Sequence, residues 1–181
     1  MEPKAAFFDR DGTLIEHVDY LDSIENIKII PESIHLCKYL QSQGYKLFIV
    51  TNQSGIGRGL FSVITLLEIH NYLHGVFAQC GVFFEKYYFC PHHPTEAVNK
   101  EYLVDCNCRK PGPGMLLRAA KEFNIDLKKS LMFGDKIIDI KAGQAAGCKS
   151  FYIQDFLNKF NLKNFDFNSF LIGEKFYHEQ L

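Results

Sequence analysis

The chain has 181 residues, 47% of them apolar and 23% charged, and a formal net charge of -1. That length suits one domain with a single sizeable core, and that balance excludes a disordered or fibrous chain. A charge so near zero leaves no basic excess for counterion-release binding to nucleic acid, and no stretch reaches the ~20 consecutive apolar residues of a membrane span.

Apolar runs of strand length occur at residues 5–8, 27–30, 47–50, 87–89, 131–133 and 151–153. Pro31 suits the first turn of a helix that places Ile34, Cys37 and Leu40 at helical spacing and ends at Gly44. Val63, Leu66, Leu67, Leu73 and Phe77 form a second stripe ending at Gly81. Pro113 opens a third helix with Leu116, Leu117, Ala120 and Phe123, and a fourth follows Asp135. Short apolar strands alternating with helices predict an α/β fold: a mainly parallel sheet covered on both faces, a Rossmann-like three-layer αβα sandwich. Residues 1–181 read as one domain with an insertion at 90–108, where Pro91, Pro94, Asn99 and Asn107 interrupt any regular pattern. The tail from Phe156 has no clear period and is expected to pack as a last helix or strand. The apolar run before Asp9 is too short for a signal peptide, so a cytoplasmic protein is expected.

In open parallel sheets ligands bind outside the carboxyl ends of the strands. The residues following the apolar runs are Asp9-Arg10-Asp11-Gly12-Thr13, Thr51-Asn52-Gln53-Ser54-Gly55 and Gly134-Asp135-Lys136. Asp9 and Asp11, two apart on an extended segment, point to one side, and Gly12 permits a sharp turn. With Asp135 they bring three carboxylates together, which favours a cation with hard oxygen ligands, and Mg²⁺ is the expected ion. The competing reading is that Asp9 and Asp11 merely cap a turn.

Six cysteines are present, and three of them, Cys90, Cys106 and Cys108, cluster with His92. Three thiolates and an imidazole are the ligand set of a closed, structural zinc site, although His93 competes with His92 as the fourth ligand. The alternative is that these cysteines are buried apolar residues. His70 and His74 lie one helical turn apart but have no third ligand nearby in sequence, so a solvated or core-edge pair is expected.

Asp9-Arg10-Asp11-Gly12-Thr13, Thr51, Lys110 and Gly134-Asp135 with Asp139 resemble, in order, the four motifs of the haloacid dehalogenase superfamily of phosphatases. The resemblance implies that Asp9 is a nucleophile forming an acyl-phosphate and that Asp11 is the general acid and then the base. It also implies that Asp9, Asp135 and the Asp11 backbone carbonyl hold Mg²⁺, and that Thr51 and Lys110 bind the phosphoryl oxygens.

Together with Cys90-Pro91-His92-His93-Pro94 and Cys106-Asn107-Cys108-Arg109-Lys110-Pro111, these motifs further resemble the D-glycero-D-manno-heptose 1,7-bisphosphate 7-phosphatases. These are enzymes of heptose supply for bacterial lipopolysaccharide or surface glycoprotein. That likeness implies a capless, Mg²⁺-dependent monomer acting on a small phosphorylated sugar, with no nucleic-acid or membrane partner. It places Arg109 at the far phosphate, with His17, Tyr20, Asn52, Gln53, Ser54 and Lys136 at the sugar site. Histidinol-phosphate phosphatases share the motifs and a similar zinc loop. Polynucleotide 3′-phosphatases resemble the segment from Thr51 to Gly59, and a non-catalytic sugar-phosphate binding module would not need both Asp9 and Asp11.

Overall fold

A computed structural model of the chain describes residues 2–159. Five strands, β1 (Lys4–Phe8), β2 (Tyr45–Asn52), β3 (Phe84–Cys90), β4 (Leu131–Gly134) and β5 (Lys149–Tyr152), form one sheet. Every neighbouring pair is parallel, and the order across the sheet is β3-β2-β1-β4-β5. Parallel neighbours require crossovers, here supplied by α1 (Pro31–Ser42), α2 (Val63–Gln79), α3 (Gly114–Phe123) and α4 (Ile137–Ala146), with α5 (Ile153–Lys159) following β5.

The strands carry apolar residues at consecutive positions because both of their faces are covered. Ala6, Phe8, Leu47, Ile49, Leu131 and Phe133 pack on one side with Leu36 and Leu40 of α1, Leu73 and Phe77 of α2 and Phe156 of α5. Ala5, Phe7, Phe48, Val50 and Met132 pack on the other with Met115 and Leu116 of α3 and Ala142 of α4. The alternating strand positions thus divide between two cores, which gives the three-layer sandwich expected from the sequence.

Boundaries shift where polar residues join an element. β2 runs on to include Thr51 and Asn52, because parallel pairing with β3 continues through Thr51 with Phe89 and Asn52 with Cys90. Ile153 starts α5 instead of ending β5. The expected strand at 27–30 does not form. Ile27 closes a 3-10 turn, Ile30 caps α1, and only Ile29 makes a bridge, antiparallel to Ile15. Pro31, pre-set for a helical first turn, leaves too little chain for a ladder. Phe156 lies in α5, and the rest of the tail from residue 160 lies outside the described residues. Among the described residues no helix is long and apolar enough to cross a membrane.

His70 sits on the inner face of α2 at 4% exposure, its ring 5.0 Å from that of Tyr87, whereas His74 is exposed. The pair makes no metal clamp. Burial first, and the Arg10 charge second, push the His70 pKa down to about 3. The imidazole is therefore neutral in the folded protein, whereas the unfolded chain takes up a proton near pH 6.5. The His70 contribution is intact above that pH and is lost on acidification towards pH 3, by up to about 1.4 kcal/mol per pH unit. Replacing His70→Phe should flatten this part of the stability–pH curve measured by chemical denaturation. An unchanged slope between pH 6.5 and 4 would place the acid sensitivity elsewhere.

Candidate active site and cysteine cluster

The strand order reverses between β1 and β4, and the crevice outside their carboxyl ends is where a doubly wound sheet binds ligands. Asp9 follows β1 there and Asp135 follows β4, and the two ends are tied by a hydrogen bond from the Asp9 amide to the Phe133 carbonyl, 2.9 Å. A cavity of about 220 Å³ opens at this edge, lined by Asp9, Asp11, Thr51, Lys110 and Lys136 among others.

Lys110 is its fixed point, at 3% exposure. Its ammonium lies 2.7 Å from Asp9 Oδ1 and 2.6 Å from Asp139 Oδ1, and donates to the Val50 carbonyl at 2.8 Å. Burial works to lower the lysine pKa, but the Asp9 and Asp139 carboxylates outweigh it and raise the pKa above the usual lysine range. Asn52 holds the backbone of the same residue, accepting from the Lys110 amide and donating to its carbonyl, both at 3.0 Å. The second oxygen of Asp139 accepts from the Lys136 amide at 3.0 Å, so this carboxylate joins the start of α4 to Lys110.

Asp135 is left without such support. Its Oδ1 is buried and has no hydrogen-bond partner among the described residues. Burial first, then the Asp9 and Asp139 charges, push its pKa up to about 6. One oxygen from each of Asp9, Asp135 and Asp139 lies within 4.8 Å of the others. A buried carboxylate oxygen with no donor, among like charges, is what a small divalent cation would relieve, and an all-oxygen set fits Mg²⁺. The clustered group includes Asp139 and not the Asp11 carboxylate expected from the Asp-x-Asp spacing. Gly12 sits at φ 77° against Asp135, where a Cβ would stand 2.4 Å from Asp135 Oδ2.

Asp11 is held apart by Arg10, a residue to which the sequence reading gave no role. Arg10 is 1% exposed and its fork grips Asp11 through Nε and Nη2, with Nη2 2.9 Å from each carboxylate oxygen. Gln53 donates to Asp11 Oδ2 at 2.9 Å and to Thr51 Oγ1 at 2.8 Å, and accepts from Arg10 at 3.1 Å. Nothing in the hydrophobic pattern marks Arg10, since arginine is read as a surface residue by default.

His17, Tyr20, Asn52, Gln53, Ser54 and Lys136 all line the cavity. Arg109 does not; its Nη1 donates to the His92 carbonyl at 3.2 Å, on the cysteine-rich loop.

In that loop Cys90 Sγ, His92 Nδ1, Cys106 Sγ and Cys108 Sγ stand at the corners of a tetrahedron whose six edges are 3.1–3.6 Å. The sulfurs are too far apart for disulfides, whose S–S bond is about 2.05 Å. Four-coordinate zinc with bonds of about 2.3 Å to sulfur and 2.0–2.1 Å to nitrogen would give edges of about 3.6–3.8 Å, slightly longer than these. The donor set fits zinc, with four protein ligands and no open position. His93 is not the fourth corner: its Nε2 is 3.0 Å from Arg58 Nη2 and its Nδ1 accepts from the Thr95 and Glu96 amides. Cys108 lies two residues before Lys110, and the Asn107 carbonyl accepts from the Gly114 amide at 2.9 Å, so the cluster abuts both the buried lysine and the start of α3. Replacing Asn52→Leu strips the Lys110 amide and carbonyl of their side-chain partner. Unfolding free energy should fall by about 1–3 kcal/mol in a denaturant titration; an unaltered value would show that Lys110 is anchored without Asn52.

Residues 16–147 match the family described as haloacid dehalogenase-like hydrolase. The chain is 48% identical over 148 residues to the D-glycero-beta-D-manno-heptose-1,7-bisphosphate 7-phosphatase of Pasteurella multocida, covering 81% of this chain and 79% of that one. It is 40% identical over 147 residues to the D-glycero-alpha-D-manno-heptose-1,7-bisphosphate 7-phosphatase of Burkholderia mallei, covering 81% and 77%. Among solved structures, the D,D-heptose 1,7-bisphosphate phosphatase of B. bronchiseptica complexed with magnesium and phosphate superposes with a TM-score of 0.73 at 30% identity, over 89% of each chain. The switch-point carboxylates, the parallel sheet and these likenesses agree, and the chain belongs to the haloacid dehalogenase-like hydrolases.

Proposed function

We propose that this protein is a Mg²⁺-dependent phosphatase that removes the C7 phosphate of D-glycero-D-manno-heptose 1,7-bisphosphate through an aspartyl-phosphate on Asp9, as a single capless domain with a structural zinc site. The observation that carries the chemistry is the pairing of an Asp9 carboxylate held by buried Lys110 with the unpartnered Asp135 oxygen beside it. The substrate rests on the names of relatives at 40–48% identity.

Lys110 grips Asp9 Oδ1, which leaves Oδ2 as the attacking oxygen. Asp9 attacks phosphorus, the bond from phosphorus to the sugar oxygen breaks, and Asp11 gives its proton to that oxygen. Asp11 then takes a proton from water, whose oxygen attacks the same phosphorus and frees Asp9 and inorganic phosphate. Thr51 supplies a donor hydroxyl and Lys110 its positive charge to the phosphoryl oxygens, both fixed in place before the reaction begins. Asp9, Asp135 and the Asp11 carbonyl would hold Mg²⁺, which when bound offsets the charge of the transferring phosphoryl group. His17, Tyr20, Ser54 and Lys136 form the sugar wall of the cavity. Asn52 and Gln53 support it from behind through their bonds to Lys110, Thr51 and Asp11. Arg109, carried on the zinc loop, receives the far phosphate.

Phosphate release should be compared, with Mg²⁺ present, for both anomers of the heptose bisphosphate, histidinol phosphate and a 3′-phosphorylated oligonucleotide. The heptose bisphosphate should be hydrolysed with the highest kcat/KM, and preference for histidinol phosphate would overturn the substrate while leaving the chemistry. Asp9→Asn should abolish release; retained turnover would refute the covalent route. Metal analysis should find about one zinc per chain. In Cys106→Ser zinc should be lost, Tm should drop and kcat should fall, because Lys110 stands two residues beyond the last ligand.

A further inference from the structure

We propose that Arg10 is a positioning residue that sets the orientation of Asp11 for proton transfer, and that Asp11 Oδ1 is the oxygen through which the proton passes. This rests on the reading of Asp11 as general acid.

Arg10 stands between the two aspartates of the reacting segment and is the largest side chain buried below 2% exposure. A guanidinium cannot shed its charge to enter an apolar core, so its buried donors need acceptors aimed at them. Among the described residues these are the Asp11 carboxyl oxygens at 2.9 Å and Gln53 Oε1 at 3.1 Å. The contact with Asp11 is a fork: Nε and Nη2 reach Oδ1 at 3.1 and 2.9 Å, and Oδ2 at 3.2 and 2.9 Å. A fork defines the plane of a carboxylate as well as its distance, which a lysine ammonium does not.

Gln53 extends the set by touching Arg10, Asp11 Oδ2 and Thr51 Oγ1, while Arg10 Nη1 has no partner among the described residues. The Asp11 plane is thus tied to the hydroxyl of Thr51 at the end of β2. A buried ion pair is weak evidence for stability, since apolar residues of similar volume do as well. Its place on the wall of the reaction cavity points to orientation instead. The Asp11 side chain keeps 15% exposure there. Oδ2 accepts from two residues and Oδ1 from Arg10 alone, so Oδ1 keeps the greater free capacity. As the bond from phosphorus to the sugar oxygen breaks, the proton moves from Oδ1 to that oxygen; Arg10 exchanges no proton.

The test uses a leaving-group comparison. Arg10→Lys keeps the charge and removes the fork. With the heptose bisphosphate, whose leaving alkoxide needs a proton, kcat/KM should fall about 100-fold or more. With p-nitrophenyl phosphate, whose leaving phenolate does not, it should fall less than about 10-fold. In an Asp11→Asn background Arg10→Lys should cause no further loss on the heptose substrate. Gln53→Met should show the same selectivity at smaller size, and carries the test if circular dichroism shows Arg10→Lys unfolded. Equal losses on the two substrates, or additive losses with Asp11→Asn, would overturn the inference and leave Arg10 a packing residue. Full heptose phosphatase activity in Asp11→Asn would instead refute the acid assignment, and the inference with it.

Discussion

A single buried ammonium organises this edge of the molecule. Lys110 Nζ meets carboxylates that follow β1 and open α4 and a backbone carbonyl within β2. Three segments far apart in sequence therefore share one cation in a region with little water to compete. Removing one partner of such a buried set typically costs about 3–5 kcal/mol, because the others are left uncompensated. Because every donor direction of the ammonium is committed, Asp9 cannot drift without breaking contacts on two other segments. The position of Asp9, the proposed nucleophile, is thus maintained by contacts along the sheet edge.

That arrangement leaves one negative charge short of support. Asp9 and Asp139 share Lys110, while Asp135, across the switch point, has an oxygen with no donor among the described residues and a pKa pushed up to about 6. The parallel topology causes this shortage: it brings the ends of β1 and β4 side by side, and Gly12 allows the closest approach. A hard divalent cation would satisfy the oxygen and lower the repulsion at once.

The cysteine loop solves a different problem. Residues 90–108 carry little regular structure among the described residues, a 3-10 turn at Lys100–Tyr102 and a bridge between His93 and Leu103. Such a segment has few buried apolar contacts with which to hold its shape, and four soft donors gathered at tetrahedral spacing can substitute for a core. Since Arg109 and Lys110 leave the cluster directly, its order reaches the reacting centre through two covalent links.

The fold class, the strands that bear the site and the three sulfur donors were legible from local pattern, and the structure chose His92 over His93 as the nitrogen donor. Consecutive apolar residues report burial on two faces, and glycines and prolines mark where elements stop; both are properties of a short stretch of chain. The run at 27–30 misled because a short apolar run reports burial and not pairing: Pro31 starts a helix directly after it, and only Ile29 bridges, to Ile15. Asp9, Asp11 and Asp135 could be picked out as residue types after strands, whereas Lys110 and the roles of all four came only from the family resemblance. Only the tertiary structure decided that Asp139 joins the clustered carboxylates, that Asp11 is clasped by Arg10 and Gln53, that Asn52 braces Lys110, and that Arg109 turns onto the loop. Each of these depends on contacts across 17 or more residues, or on a side chain folding back at a turn, and sequence spacing carries no record of such distances.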